Sequence, residues 1–148
     1  MSASNASSAR IASVLRIRRL QERRERAEVA ARRRTHLSAA DAETRAWTAV
    51  SDHERSPVSG TAAGLVARRA LLAGGVGVAQ RRGETTLIAA HDVDVQVATW
   101  SVAAQRVEGL ERLEDKIRTA ERAEREQREA LELDDLVLAR RGRTEVVQ

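Results

Sequence analysis

Large aromatic side chains are almost absent from this chain, and no other feature limits its possible folds as strongly. Its 148 residues include two Trp but no Phe or Tyr, so Ala and Val supply most of the 42% apolar content. A globular domain of this length normally fills its core with aromatic and large aliphatic side chains. Charged residues make up 32%, mostly Arg and Glu at helical spacing. This composition predicts an all-α coiled coil whose long helices pack through narrow seams.

Helix-breaking residues are concentrated in the middle of the chain. The single proline, Pro57, and six of the eight glycines lie within residues 57–83. Because proline disfavours the α conformation in the residue before it, the first helix is predicted to end around residue 56. The chain is expected to form one domain, a long antiparallel two-helix hairpin. Its predicted parts are a disordered N-terminus (1–7), helix 1 (8–56), a tip with a short helix and a Gly-rich turn (57–84), helix 2 (85–141) and a flexible C-terminus (142–148).

Apolar residues recur at alternating steps of three and four, which is the spacing of a coiled-coil seam. One such run in the second helix consists of Val93, Val97, Trp100, Ala104 and Val107. Two successive three-residue steps then join it to a second run, and such a stammer locally overwinds a supercoil. The main predicted seam residues are Leu20, Ala27 and Leu37 in the first helix and Leu110, Leu113, Ile117, Leu131 and Leu138 in the second.

Positive charge is concentrated in the first helix. Residues 1–37 contain ten Arg and three Glu, a net charge of +7, whereas residues 106–148 contain ten basic and twelve acidic residues, a net charge of −2. Six glutamates of the chain stand four positions before an arginine, and such pairs stabilise a helix by about 0.3 kcal/mol each. The arginines of the first helix outnumber these partners. Unpaired positive charge on one helix indicates an acidic partner, either a protein or a nucleic acid.

The sequence contains no motif typical of a catalytic, cofactor-binding or metal-binding site. The absence of Cys excludes a disulfide scaffold, a thiolate metal site and a cysteine nucleophile. The string AGGVGVAQRRG lacks the GK[ST] ending of a phosphate-binding loop. His91, Asp92 and Asp94 are close in sequence but are expected to be exposed helix residues. We therefore expect no enzyme activity, no catalytic residue, no metal, no cofactor and no small-molecule substrate.

Membrane insertion and nucleic-acid binding are both disfavoured. The longest uncharged apolar run, Ala70–Ala79, has ten residues, whereas a membrane span requires about 20. The N-terminus lacks the pattern of a secretion signal, so a soluble cytoplasmic protein is expected. Nucleic-acid binding would be supported by Phe or Tyr for base stacking, by zinc-ligand spacing or by a long Leu zipper directly after the basic stretch, and the sequence has none of these.

Two segments resemble a known family. They are VLRIRRLQERRERAEVAARRR, from Val14 to Arg34, and LERLEDKIRTAERAEREQREALELDDLVLARR, from Leu110 to Arg141. The second segment ends in a paired acid, a few residues and paired arginines. In these segments and in its layout the chain resembles the flagellar FliJ family, a small coiled-coil component of the flagellar type III export apparatus.

The resemblance implies a cytoplasmic stalk at the cytoplasmic face of the inner membrane, at the base of the flagellum. Its expected partners are the export ATPase hexamer, the cytoplasmic part of an export-gate membrane protein and export chaperones. The end that carries both termini would enter the ATPase ring. The residues assigned to that end are Arg18, Arg19, Arg23, Arg24, Asp134, Asp135, Arg140 and Arg141. Aromatic residues common in the middle of family members are absent here, so no gate-binding residues are assigned. The alternatives are an Arg-rich coiled coil that binds nucleic acid and a generic coiled-coil scaffold.

Overall fold

The chain folds into two helices. The computed structural model describes the backbone of residues 3–57 and 60–145 and the side chains of residues 8–57 and 60–137. Within these ranges, helix α1 (Ala3–Arg55) and helix α2 (Ala62–Glu145) pack against each other. The all-α prediction is confirmed.

The end of α1 agrees with the effect expected of proline. The helix ends at Arg55, and the backbone N–H of Ser56 donates to the carbonyl of Asp52 at 3.1 Å. The start of α1 differs from the prediction, because residues from Ala3 onward are helical rather than disordered. Extending an existing helix adds one hydrogen bond per residue fixed, so a long helix readily includes such a short Ala- and Ser-rich segment.

The start of α2 differs more from the sequence-based prediction. The helix begins at Ala62 instead of residue 85, so the predicted short helix and Gly-rich turn are wrong and the glycines at 64–83 lie inside α2. The chain instead reverses between Arg55 and Ala62. The hydroxyl of Thr61 accepts a hydrogen bond from the backbone N–H of Gly64 at 3.2 Å, which caps the new helix. At the other end, α2 reaches Glu145 rather than residue 141.

Close packing against α1 accounts for two of the glycines inside this helix. A Cβ atom on Gly75 would lie 3.1 Å from Cγ2 of Val50, and one on Gly83 would lie 3.1 Å from Oε1 of Glu43. Glycine costs about 1 kcal/mol relative to alanine in a helix interior. That cost is offset here because the missing side chains let α1 approach α2 closely.

The chain divides into two compact units, each containing part of both helices. The first unit comprises Met1–Leu20 and Ala104–Gln148, and the second comprises Gln21–Ala103. In the second unit, Glu22 contacts Trp100 near one end and Val50 lies beside Gly75 near the other. The two helices therefore run antiparallel in this unit.

The first unit has the same helix direction. Arg19 contacts Glu111, whereas Ser8, earlier in α1, lines a groove with Arg118 and Arg122, later in α2. Its one core side chain among the described residues is Leu15, which is 2% exposed. The core of the second unit is equally small. It consists of Val29, Val50, Ala79 and Ala89.

The seam predicted for α1 is wrong. Leu20 and Leu37 are 60% and 65% exposed, and Ala27 is also exposed. The inward positions follow a different set of steps of three and four. In the first unit they are Ile11, Leu15 and Arg18, and in the second unit Glu22, Glu25 and Val29. The prediction followed the apolar stripe, whereas three of these six inward positions hold charged residues.

The seam predicted for α2 is correct for its first run. Val93, Val97 and Trp100 are half-buried in the second unit, as are Ala104 and Val107 in the first.

The second run is only partly inward. Leu110 and Ile117 are half-buried, but Leu113 and Leu131 are 44% and 58% exposed. Leu138 lies outside the residues whose side chains are described. Glu111 and Glu114 are also half-buried, so this part of the inward face includes charged residues as well.

Candidate partner-binding surface

The exposed side of α1 carries seven arginines that form no ion pair within the described part of the chain. We call them the free arginines. In the first unit they are Arg10 and Arg16, and in the second unit Arg23, Arg24, Arg26, Arg33 and Arg34. No acidic residue precedes Glu22 in the sequence. Part of the positive charge of α1 is therefore left without an acid to balance it.

Two of the few acids on α1 point into the seam. The indole Nε1 of Trp100 donates to Oε1 of Glu22 at 2.7 Å, and Nε2 of Gln96 donates to Oε2 of Glu25 at 2.6 Å. Both bonds are partly buried. Glu22 therefore makes its described contact across the helices rather than with Arg26, its expected partner one turn later.

The remaining opposite charges pair both within and between helices. Arg32 reaches Asp92 on α2 at 3.5 Å, rather than Glu28 on its own helix. On α2, three predicted pairs between residues four apart are present. They are Glu108 with Arg112, Glu114 with Arg118, and Glu124 with Arg128. Ion pairs within one helix occur on α1 as well, where Arg45 pairs with Asp41 and Arg55 with Asp52. The free arginines of α1 all lie before residue 35.

Two of the predicted site arginines are already engaged. Nε and Nη2 of Arg19 donate to Oε1 of Glu111 at 3.1 and 2.8 Å, and both side chains are more than 40% exposed. Such a surface pair contributes about 0 to 1 kcal/mol. Arg18 is half-buried at a seam position and also interacts within the protein. Among the predicted site arginines whose side chains are described, Arg23 and Arg24 are the two that lie in no described ion pair.

The predicted acidic and basic pairs near the end of α2 are placed only in part. Asp134 and Asp135 are exposed, and no described ion pair joins them to an arginine of α1. Arg140 and Arg141 lie within the backbone of α2, but their side chains fall outside the described residues. The first unit thus holds Arg18, Arg19 and both acids without a described contact between the arginines and the acids.

A groove of about 540 Å³ lies in the first unit, where the start of α1 meets α2. It is lined by Ser8 and by charged residues of α2. These are Arg118, Glu121, Arg122, Arg125, Glu126 and Glu129. Because its walls are polar and carry both signs of charge, the groove suits contact with a charged protein surface better than enclosure of an apolar ligand.

No significant match exists to protein-family models, curated proteins or solved structures. Function is therefore inferred from the chain's own residues and contacts. Among the described residues, no group of three or more His, Cys, Asp or Glu side chains is placed to hold a metal ion. Asp92, which is close in sequence to His91 and Asp94, contacts Arg32 of α1.

Sequence reasoning did not anticipate the contacts of Glu22 and Glu25 across the helices. One signal for the first contact was present. A partly buried tryptophan usually needs an acceptor for its indole N–H, and Trp100 lies on a predicted seam. The acceptor is a charged residue of α1, and apolar spacing assigns only apolar residues to a seam.

Proposed function

We propose that the protein is the coiled-coil stalk component of a flagellar type III export apparatus. It binds the export ATPase hexamer and links it to the cytoplasmic part of the export gate and to export chaperones. It works in the cytoplasm, at the inner face of the membrane at the flagellar base. The proposal combines the resemblance of residues 14–34 and 110–141 with the arrangement of charge on α1.

The observation that carries the proposal is the set of free arginines. Five of them lie between residues 23 and 34 in the second unit, all exposed. Like charges held close together on one helix repel each other, and an acidic partner relieves that repulsion. An acidic channel in a protein ring is such a partner. The helix pair holds these side chains on a continuous scaffold, which favours a defined binding geometry.

The seam spacing supports the coiled-coil part of the proposal. Inward positions on both helices alternate between steps of three and four, as at Val93, Val97 and Trp100. That alternation keeps one face of a helix toward its partner over many turns.

The test compares charge reversal at two pairs of basic residues. Arg23→Glu with Arg24→Glu should weaken binding to the export ATPase by about tenfold or more, equivalent to about 1.4 kcal/mol. Binding by the unmodified protein should also weaken as salt is added, because exposed charges are screened. A pull-down and an ATPase-stimulation assay measure these effects, and circular dichroism checks that helix content is unchanged.

Arg106→Glu with Lys116→Glu is the matched control. Both side chains are exposed on α2, lie in no described ion pair and do not line the groove, so their reversal should leave ATPase binding nearly intact. A filter-binding assay with duplex DNA and RNA tests the nucleic-acid alternative on the same proteins. Tight duplex binding at physiological salt by a protein that ignores the ATPase would contradict the proposal.

A further inference from the structure

The first part of α2 has a strongly apolar composition, but little of it is buried. An 18-residue window of this helix has a mean hydropathy of 1.3, so α2 contains a segment long and apolar enough, by length and composition, to cross a membrane. Residues 62–79 meet that criterion. A soluble core helix can have the same composition, but such a helix is mostly buried, whereas 6% of this window is buried. Burial against α1 therefore does not account for the composition.

Contacts with α1 argue against a membrane-spanning arrangement. Ala79 is completely buried, and Gly75 lies against Val50 of α1. Nη2 of Arg68 donates to the carbonyl oxygen of Glu54. A helix that spans a bilayer alone would lose these contacts and would place Arg68 within the hydrocarbon layer. In this structure α2 lies beside α1 and leaves its other side uncovered.

The uncovered side combines apolar residues with arginines. Val66, Leu71 and Val78 are 70%, 62% and 43% exposed, and the positions between them are largely Ala and Gly. Residues 62–82 contain four arginines and no acidic residue, a net charge of +4. Two of these arginines, Arg69 and Arg81, are exposed on this side and lie in no described ion pair, whereas Arg82 lines a groove with Arg34 and Ser38 of α1.

We propose that the outward side of residues 62–82 binds the surface of an anionic lipid bilayer. The segment lies in the interface, with Val66, Leu71 and Val78 among the acyl chains and the exposed arginines at the phosphate head groups. Apolar area and attraction to anionic lipid are the two contributions that hold such helices at membranes. A second copy of the chain is a poorer occupant, because two surfaces that carry arginines and no acidic residue would repel each other. This inference goes beyond the proposed function and does not depend on the ATPase.

Vesicle flotation of the full-length protein tests the inference. The unmodified protein should float with vesicles that contain about one-third phosphatidylglycerol and should bind phosphatidylcholine vesicles much more weakly. Each arginine near an anionic surface contributes a factor of about five to binding. Arg69→Gln with Arg81→Gln should therefore lower the partition coefficient about 25-fold. Leu71→Gln with Val78→Gln should lower binding to both kinds of vesicle.

Arg26→Gln with Arg33→Gln is the matched control, since these two exposed arginines belong to the same unit but lie on α1. This pair should change vesicle binding less than threefold. An equal loss in the control would show that overall positive charge causes binding, and absence of flotation by the unmodified protein would exclude the lipid surface. Analytical ultracentrifugation tests whether a second copy of the chain binds this surface instead. Dimers that disappear with Leu71→Gln and Val78→Gln, without vesicle binding, would assign the surface to a second copy.

Discussion

At the scale of single residues, carboxylates occupy positions where a coiled coil usually places aliphatic side chains. Burying a polar group is unfavourable unless it is hydrogen-bonded. Glu22 and Glu25 meet this condition by accepting bonds from Trp100 and Gln96. The same contacts satisfy the indole and amide donors of α2. His36 shows the contrast, because its Nδ1 is buried without a partner in the described structure.

The bond between Trp100 and Glu22 should appear as a coupling free energy. Hydrogen bonds to charged groups contribute about 1.5 to 3 kcal/mol, so a double-mutant cycle of Glu22→Ala and Trp100→Phe should give a coupling in that range. Urea denaturation followed by circular dichroism measures it. The control cycle replaces Glu22→Ala with Glu28→Ala, an exposed acid with no described contact to Trp100. Equal coupling in the two cycles would show that the hydrogen bond does not stabilise the pairing.

At the scale of the helices, α1 has two stripes of different composition on opposite sides. The outward stripe holds Leu20, Ala27 and Leu37, whereas the inward one mixes apolar and charged residues. Within the first unit, Leu15 is 2% exposed and Leu20 is 60% exposed. The two leucines are five positions apart on one helix and therefore provide a direct comparison.

Leu15→Ala should lower the free energy of unfolding by about 3 kcal/mol, because removing a buried leucine side chain loses both transfer free energy and packing. Leu20→Ala should cost less than about 1 kcal/mol, since most of that side chain remains in water. Thermal melts followed by circular dichroism measure the difference. If the leucine at position 20 proved the more costly to remove, the helix would be rotated relative to the structure.

These helices show which parts of the structure the sequence could predict. The end of α1 was predictable because Pro57 restricts the residue before it, and the seam through Val93 and Trp100 was predictable from apolar spacing. The start of α2 was not, because the low helix propensity of glycine predicts a turn there, and the three-dimensional structure is needed to show that Gly75 and Gly83 lie close to α1 inside a helix. The true seam of α1 was also missed, because only the three-dimensional structure shows that Glu22 has a hydrogen-bond donor opposite it.

The partner-binding surface was likewise predictable from the sequence only in part. The surplus of arginine on α1 was evident from the composition of residues 1–37. Which arginines are free depends on the contacts, because Arg19 has Glu111 as a partner whereas Arg23 and Arg24 have none described.

At the scale of the whole molecule, two units are built from segments distant in sequence. Residues 92 positions apart meet in the first unit, where Arg19 contacts Glu111. In the second unit the ends of α1 and α2 beside the reversal meet at Val50 and Gly75. With so small a core, antiparallel pairing rests on many contacts distributed along the helices.

Cysteine cross-linking tests this pairing, because the chain contains no native cysteine. Val50→Cys with Gly75→Cys should form an intramolecular disulfide under mild oxidation, since a Cβ at position 75 would lie 3.1 Å from Val50 Cγ2. Non-reducing gels and mass spectrometry detect it. Val50→Cys with Gly74→Cys is the control, because a Cβ at position 74 meets nothing within 4 Å. Equal cross-linking in both pairs would contradict the described pairing.

The hydrogen-bonded acids of the seam also determine which alignment of the two helices is allowed. If α2 slid along α1 by seven residues in one direction, Glu22 would face Val93 and Glu25 would face Ala89. A slide in the other direction would bring Glu25 opposite Ala103. A carboxylate would then lose water without gaining a donor, which is costly. Aliphatic residues at every seam position would tolerate such slips far better. The acids therefore weaken the association of the two helices but favour a single register.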